Sequence, residues 1–186
     1  MMDRIIHRGP NSSGQYVDDS VALGFRRLSI IDIEAGNQPM YSPDGNVVLI
    51  FNGEIYNFLG LKEKLEEKGH TFLTHSDTEV LLHAYLEYGE KVVDHLRGMF
   101  GFAVWDKREK KLFIARDHFG IKPVYYGKFG DTFMFASEIK AFLDNEKFVK
   151  ELNKEALKPY LTFQYSVLNE TFFKGVFKLD PGHTLV

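Results

Sequence analysis

Polar residues able to do chemistry stand at the end of one apolar run in this sequence. Residues 48–51 are apolar, and Asn52, Gly53 and Glu54 follow them directly. An amide side chain and a glycine N–H at the end of a rigid strand can hold an oxygen that becomes negatively charged during a reaction. We therefore predict an oxyanion-binding site at Asn52 and Gly53. The sequence contains no cysteine, so it supplies no thiol to attack a substrate there.

Arg27 and Asp77 carry the two charges that would hold an α-amino acid. A guanidinium can grip a carboxylate through two parallel hydrogen bonds, and a carboxylate can hold an ammonium group. Arg27 stands near the end of a predicted strand, and Asp77 follows Ser76 at the predicted start of a helix. Spacing alone explains these residues equally well as a surface ion pair and a helix cap.

Composition excludes several classes of protein. The chain has 186 residues with 44% hydrophobic content, enough for one core and most simply one domain. Its net charge is -3 with no basic stripe, which argues against nucleic acid as a partner. No apolar run approaches the ~20 residues of a membrane span, and no signal segment opens the chain, so we expect a cytoplasmic protein that does not contact a membrane. The seven histidines lack the spacing of metal ligands, so no metal site is expected.

The pattern of elements predicts an α+β fold with mainly antiparallel strands. Alternating apolar residues and turn signals place hairpins at 99–116 and 124–136, the second closed by Gly130. Further strands are expected within 15–28 and over 47–51. Helices are expected over 58–68, with Asn57 as N-cap, and from the Ser76 cap to Gly89. Shorter helices are predicted over 138–143 and 154–161.

Several motifs, in this order, resemble the glutaminase domain of glutamine-hydrolysing asparagine synthetase, a class II glutamine amidotransferase. They are His-Arg-Gly-Pro at 7–10, Arg-Arg-Leu-Ser-Ile-Ile-Asp at 26–32, Gln-Pro-Met at 38–40, Asn-Gly-Glu-Ile-Tyr-Asn at 52–57 and Ser-Asp-Thr-Glu at 76–79. The resemblance continues through 116–123 and 135–141 and covers essentially the whole chain.

The resemblance implies an N-terminal-nucleophile hydrolase fold, with four layers in αββα order and two antiparallel sheets. Residues 1–186 would be one glutaminase-type amidotransferase domain. In this family an N-terminal cysteine attacks the side-chain amide of glutamine, and the ammonia passes to a synthetase domain for ATP-dependent amidation of aspartate. Glutamine and a synthetase domain or chain are therefore the expected partners.

The resemblance also assigns the contacts to glutamine. The oxyanion hole falls on Asn52 and Gly53, the carboxylate site on Arg27, the ammonium site on Asp77, and further substrate contacts on Glu54 and on the backbone at Ile30 and Ile31.

Both ends of the sequence depart from the family pattern. The family's initiating Met-Cys-Gly and its strand lie well upstream of the motif that begins at His7, so the nucleophile is missing and the N-terminus reads as truncated. The ATP-binding Ser-Gly-Gly loop of the synthetase domain is also missing. We therefore expect no cofactor for this chain, and assign ATP and Mg²⁺ to the synthetase domain that these residues do not contain. As written, the chain is expected not to hydrolyse glutamine.

Three interpretations remain open. The chain is a fragment of an amidotransferase, a Cys-less module that binds glutamine without cleaving it, or a structural subunit that pairs with a separate synthetase chain. The fragment is the favoured interpretation. Loss of an early strand would expose a sheet edge, so we expect self-association into a homo-oligomer or poor stability.

Overall fold

The structure is a computed structural model that describes residues 1–28 and 37–186. The strands in these residues form three antiparallel sheets. The strands are β1 (Ser12–Val17), β2 (Ala22–Arg27), β3 (Met40–Tyr41), β4 (Val47–Ile55), β5 (Gly98–Asp106), β6 (Lys111–Arg116), β7 (Tyr125–Phe129), β8 (Thr132–Ala136), β9 (Phe177–Lys178) and β10 (Thr184–Leu185). The α-helices are α1 (Phe58–Glu67), α2 (Asp77–Tyr88) and α3 (Leu157–Phe163). Shorter 3-10 helices span Met2–Arg8, Gly89–His95, Ile139–Phe142 and Lys154–Ala156.

A five-stranded sheet in the order β10-β6-β5-β4-β3 forms the centre of the fold. The sequence of β4 is apolar on both faces because both faces are covered. Leu49 and Phe51 pack with Leu61 of α1 and Leu81 of α2, whereas Val48 belongs to a second cluster on the opposite face. The α-helical layer therefore lies on one side of this sheet and a second sheet layer on the other.

Two small sheets make the second sheet layer. One is the pair β1-β2, and the other is three-stranded in the order β8-β7-β9. Leu23 of β2 and Phe135 of β8 pack with Trp105 and Val48 of the central sheet. The predicted α+β fold is confirmed, but the second sheet that the resemblance implied is divided into two pieces in the described residues. The outer layer beyond β8 is a 3-10 helix, Ile139–Phe142, whose Phe142 packs on Met134.

Glycines end the two long helices where the sequence predicted. Gly69 follows α1 at φ 93°, and Gly89 follows α2 at φ 59°, a region of backbone space that favours glycine. Ser76 caps α2 by accepting a hydrogen bond from the Thr78 N–H. Asn57 occupies the predicted N-cap position of α1, but its side chain makes no cap hydrogen bond. It donates instead to the carbonyl of His95 and accepts from the N–H of Arg97.

Strand β4 is longer than the sequence predicted. The apolar run ends at Phe51, but the ladder with β5 continues to Ile55, which pairs with Gly98. Asn52, Gly53 and Glu54 therefore lie within a strand and not after one. No helix among residues 1–28 and 37–186 has the length and apolar character to cross a bilayer.

Candidate functional site

Gly53 directs its backbone N–H away from β5. Its partner in the ladder is Phe100, whose N–H donates to Asp117 Oδ2 at 3.3 Å and whose carbonyl accepts from the Asp117 N–H at 2.8 Å. In a strand the N–H and C=O of one residue point to the same side, so Phe100 faces β6 and forms a non-hydrogen-bonded pair with Gly53. The polar backbone groups of Gly53 therefore face the other edge of β4.

Side chains occupy the two neighbouring positions on that edge. The Gln38 amide accepts from the Phe51 N–H at 2.6 Å and donates to the Phe51 carbonyl at 3.0 Å. Asp77 Oδ2 accepts from the Ile55 N–H at 3.0 Å. Between them, the N–H of Gly53 has no side-chain partner within the described parts of the chain. One hydrogen-bond donor is thus left open between two that are occupied.

Asn52 supplies a second donor next to Gly53. Its side chain lies on the face of the central sheet that is turned toward the second sheet layer, because residues alternate along β4. Asn52 Nδ2 is buried and has no hydrogen-bond partner in the parts of the chain that the structure describes. Leaving a buried donor unpaired costs about 1–3 kcal/mol. The two predicted donors, Asn52 and Gly53, are therefore adjacent, and neither has a partner within residues 1–28 and 37–186.

Asp77 lies at the first turn of α2 and is 6% exposed. Burial raises the pKa of its carboxyl group, and the negative charge of the nearby Glu54 raises it further, while hydrogen bonds from the N–H groups of Ile55 and Thr78 act in the opposite sense. One side chain therefore both anchors the end of β4 and brings a negative charge to the edge that carries Gly53. The predicted helix-start position of Asp77 is confirmed.

Arg27 is linked to the same edge through the segment at residues 37 and 38. It ends β2, is 6% exposed, and donates from Nη1 to Asn37 Oδ1 at 3.2 Å. Asn37 directly precedes Gln38, whose amide binds Phe51. A chain of contacts thus links Arg27 to β4 on one side of Gly53, and Asp77 lies on the other side. The roles predicted for Ile30 and Ile31 fall on residues outside those that the structure describes.

Gln38 and Asp117 stand in motifs of the sequence that suggested no individual role for either residue. Gln38 takes the place of a neighbouring strand by binding both backbone groups of Phe51. Asp117 is fully buried and also accepts from the N–H groups of Ile121 and Lys122, both at 2.9 Å. The Gln-Pro-Met motif and the motif at 116–123 were the available signals, but a motif does not show which backbone group a side chain binds.

Metal chemistry has no ligand set in the described residues. No group of three or more His, Cys, Asp or Glu side chains in residues 1–28 and 37–186 is placed to hold a metal ion. The arrangement at β4 instead offers two neutral donors, Asn52 and the Gly53 N–H, flanked by a cation on Arg27 and an anion on Asp77. Such a set fits a zwitterionic ligand whose far end carries a carbonyl oxygen.

Comparisons of the sequence with known proteins agree on one family. Residues 1–186 match the family described as glutamine amidotransferase domain. The chain is 49% identical over 182 residues to asparagine synthetase [glutamine-hydrolyzing] 1 of Bacillus subtilis, covering 98% of this chain and 29% of the relative. It is 48% identical over 148 residues to asparagine synthetase [glutamine-hydrolyzing] of Zea mays, covering 78% of this chain and 25% of the relative. The chain thus spans less than a third of the length of these relatives.

A solved structure agrees with this result. Glutamine phosphoribosylpyrophosphate amidotransferase from B. subtilis, complexed with ADP and GMP, is similar with a TM-score of 0.56 and 31% sequence identity, covering 65% of this chain and 28% of that chain. The resemblance found in the motifs is confirmed along the whole sequence, and the N-terminal-nucleophile hydrolase fold is confirmed by this neighbour. The chain belongs to the glutamine amidotransferase domain family.

Proposed function

We propose that this domain binds glutamine at the open edge of β4 and is the glutaminase part of an asparagine synthetase. The observation that carries the proposal is that the Gly53 N–H and the neighbouring Asn52 Nδ2 have no hydrogen-bond partner in residues 1–28 and 37–186, with an arginine and a carboxylate on either side along this edge. Arg27 binds the substrate carboxylate and Asp77 its ammonium group. Glu54 contacts the substrate beside the oxyanion donors, and the resemblance assigns further substrate contacts to the backbone at Ile30 and Ile31, which lie outside the described residues.

The chemical step that the family uses requires a cysteine thiol, which the 186 residues do not contain. In the proposed reaction the side-chain amide oxygen of glutamine becomes an oxyanion, and Asn52 and Gly53 stabilise it. Removing one such donor typically costs about 10²–10³ in turnover. The ammonia is used by a synthetase domain or chain, where ATP and Mg²⁺ act. The relatives carry glutamine-hydrolysing asparagine synthetase names, which supports this partner.

Calorimetric titration of the domain with L-glutamine tests the binding site. We expect Asp77→Asn to weaken binding about 10–100-fold, since it removes a charge-assisted hydrogen bond but keeps an oxygen for the Ile55 N–H. Glu63→Gln, an equivalent change at an exposed position of α1, is the matched control and should leave binding unchanged. No heat with L-glutamine, or equal affinity for the two variants, would contradict the proposal.

The absence of cysteine favours a second candidate, binding of glutamine without hydrolysis. The two functions differ in whether glutamate is released. Incubation of the purified protein in its longest natural form with glutamine, followed by measurement of glutamate, separates them. Glutamate release supports the amidotransferase, whereas binding without release supports the Cys-less module.

A further inference from the structure

The segment of residues 70–76 leads directly into the site proposed for the ammonium group. It connects α1 to α2, contains no helix or strand, and is followed by Asp77. Much of it is exposed, and Leu73 in its middle is 94% exposed. Apolar packing therefore holds only part of this segment, and its shape depends on polar contacts.

A polar stripe of α2 supplies those contacts. Glu79, His83 and Glu87 follow one another at intervals of four residues, so they lie on one face of the helix. Leu81 and Tyr85, on the other side of α2, belong to the main core. All three side chains of the polar stripe are directed to the segment of residues 70–76 or to a ring within it.

The start of the segment is held by the far end of the stripe. His70 Nδ1 and His83 Nδ1 lie 3.0 Å apart, so the two rings share one hydrogen bond. His70 Nε2 lies 3.2 Å from Glu87 Oε2. The Phe72 ring packs on His83 with ring centroids 4.7 Å apart. Residues 70–72 are therefore fixed to α2 by side chains.

The middle of the segment is held by Glu79 alone among the side chains of the stripe. Glu79 Oε1 accepts from the Leu73 N–H at 2.8 Å. Glu79 Oε2 accepts from the N–H and the hydroxyl group of Thr74, at 2.7 and 2.6 Å. Glu79 is only 6% exposed and forms no salt bridge in residues 1–28 and 37–186. Hydrogen bonds from the segment are thus what stabilises this buried carboxylate.

Glu79 is connected to the residue before Asp77 through Thr74. In a capping box, a glutamate at this position of the helix binds the backbone N–H of the N-cap residue directly. Here the Ser76 N–H donates to Thr74 Oγ1 at 3.2 Å, and the Thr74 hydroxyl donates to Glu79. Ser76 Oγ in turn accepts from the Thr78 N–H at 3.0 Å. A continuous set of hydrogen bonds therefore fixes the backbone on both sides of Asp77.

The direction of the Asp77 carboxylate depends on this turn. Asp77 Oδ2 accepts from the Ile55 N–H at 3.0 Å, across the gap between α2 and β4. A shift of the turn by about 1 Å would break this contact and move the charge relative to Gly53, and misplacement of that size is enough to weaken recognition strongly.

We propose that Glu79 is a positioning residue of the amino-acid site, which fixes Thr74 and Ser76 and thereby aims the Asp77 carboxylate at the substrate ammonium group. The carboxylate of Glu79 is occupied by the segment, so it acts through Asp77. The inference rests on the proposed function for the identity of the ligand, whereas the effect on the bond between Asp77 and Ile55 does not depend on it.

Calorimetric titration of Glu79→Gln with two ligands tests this role. The ligands are L-glutamine and glutaramate, which is glutamine without its α-amino group. The substitution keeps the size of the side chain but replaces one acceptor oxygen with an NH₂ group. We expect about tenfold weaker binding of L-glutamine, the equivalent of one weakened charge-assisted hydrogen bond, and unchanged binding of glutaramate. A general structural defect would weaken both ligands equally.

Hydrogen exchange provides a readout without any ligand. The Ile55 amide should exchange at least tenfold faster in Glu79→Gln, because Asp77 no longer holds it. The Phe51 amide on the same edge of β4, which is bound by Gln38, should keep its protection. Glu67→Gln, the same substitution at an exposed position of α1, is the matched control and should change neither amide.

Two further variants define the path. Thr74→Val removes the hydroxyl link to Ser76 and keeps the two backbone bonds to Glu79, so it should show the same selectivity between the ligands with a loss of about threefold. It also decides the question if Glu79→Gln fails to fold. In an Asp77→Asn background, Glu79→Gln should weaken L-glutamine binding less than about twofold further, because the two residues act as one unit.

Three results would overturn the proposal. They are equal weakening of the two ligands, unchanged L-glutamine affinity in Glu79→Gln, and full protection of the Ile55 amide in that variant. A wild-type protein that binds no glutamine would contradict the proposed function instead, and the exchange of the Ile55 amide would still decide whether Glu79 positions Asp77.

Discussion

Replacement of Gly53 by alanine tests the packing behind the candidate oxyanion site. A Cβ at position 53 would lie 2.1 Å from the carbonyl oxygen of Met99 and 2.7 Å from Cα of Phe100. Both are backbone atoms of β5, so no side-chain rotation relieves the contact. Strands β4 and β5 would have to separate by about 1 Å to restore van der Waals distance. The close approach of β4 and β5 at this position therefore requires glycine.

The expected loss of stability follows from the ladder bonds beside Gly53. Since Gly53 and Phe100 are a non-hydrogen-bonded pair, the flanking pairs Asn52–Gly101 and Glu54–Met99 carry the bonds that a separation would stretch. A hydrogen bond contributes about 1 kcal/mol net, so weakening two to four of them costs about 2–4 kcal/mol. For a chain of this size we expect Gly53→Ala to lower Tm by about 5–10 °C.

Gly60→Ala is the matched control. Gly60 lies on the exposed side of α1, where an added methyl group would meet no neighbouring atom within 4 Å, and alanine is favoured over glycine in a helix by about 1 kcal/mol. The same substitution should therefore raise Tm by about 2–4 °C there. Thermal unfolding followed by circular dichroism measures both variants. A Gly53→Ala protein as stable as the wild type would refute the close approach of β5 and the geometry derived from it.

Three further perturbations follow from the contacts. Gln38→Met should cost about 2–3 kcal/mol in urea unfolding and weaken glutamine binding, because the N–H and C=O of Phe51 lose their partner, whereas Gln15→Met at an exposed position should do neither. Asp117→Asn should cost about 2–4 kcal/mol, because the buried carboxylate accepts four backbone N–H groups; unchanged unfolding would contradict this. Burial raises the pKa of Glu138, but hydrogen bonds from His7, Lys140 and Arg8 outweigh it and lower the pKa to about 2. About 1–2 kcal/mol of folding stability is therefore present above pH 5 and should be lost as the pH falls from about 5 to 2. The Glu138→Gln variant should not show this loss.

Local sequence patterns predicted the turns and helix ends well, because these features depend on residues that are close in the sequence. The turn at Gly130 adopts φ 60°, and α1 and α2 end at glycines, as the sequence indicated. Asn57 holds the predicted N-cap position of α1 without a cap hydrogen bond, because a distant segment, residues 95–97, offers its side chain a donor and an acceptor. The continuation of β4 through polar residues to Ile55 depends on pairing with β5, which lies more than 40 residues away in the sequence.

Parts of the site could be predicted and parts could not. The donor types at Asn52 and Gly53 are visible in the sequence, and motifs identified the family. The direction of the Gly53 N–H could not be predicted, because it follows from Asp117 binding both backbone groups of Phe100. The role of Gln38 was equally hidden, since a side-chain amide that substitutes for a strand leaves no periodic pattern.

The structure of the domain crystallised with L-glutamine is the most direct test of the central claim. We predict the side-chain amide oxygen of glutamine within about 2.7–3.1 Å of both the Gly53 N and Asn52 Nδ2. Its carboxylate should contact Arg27 and its ammonium group Asp77. Glutamine bound with its side-chain amide away from Asn52 and Gly53, or with its charges exchanged, would contradict the account.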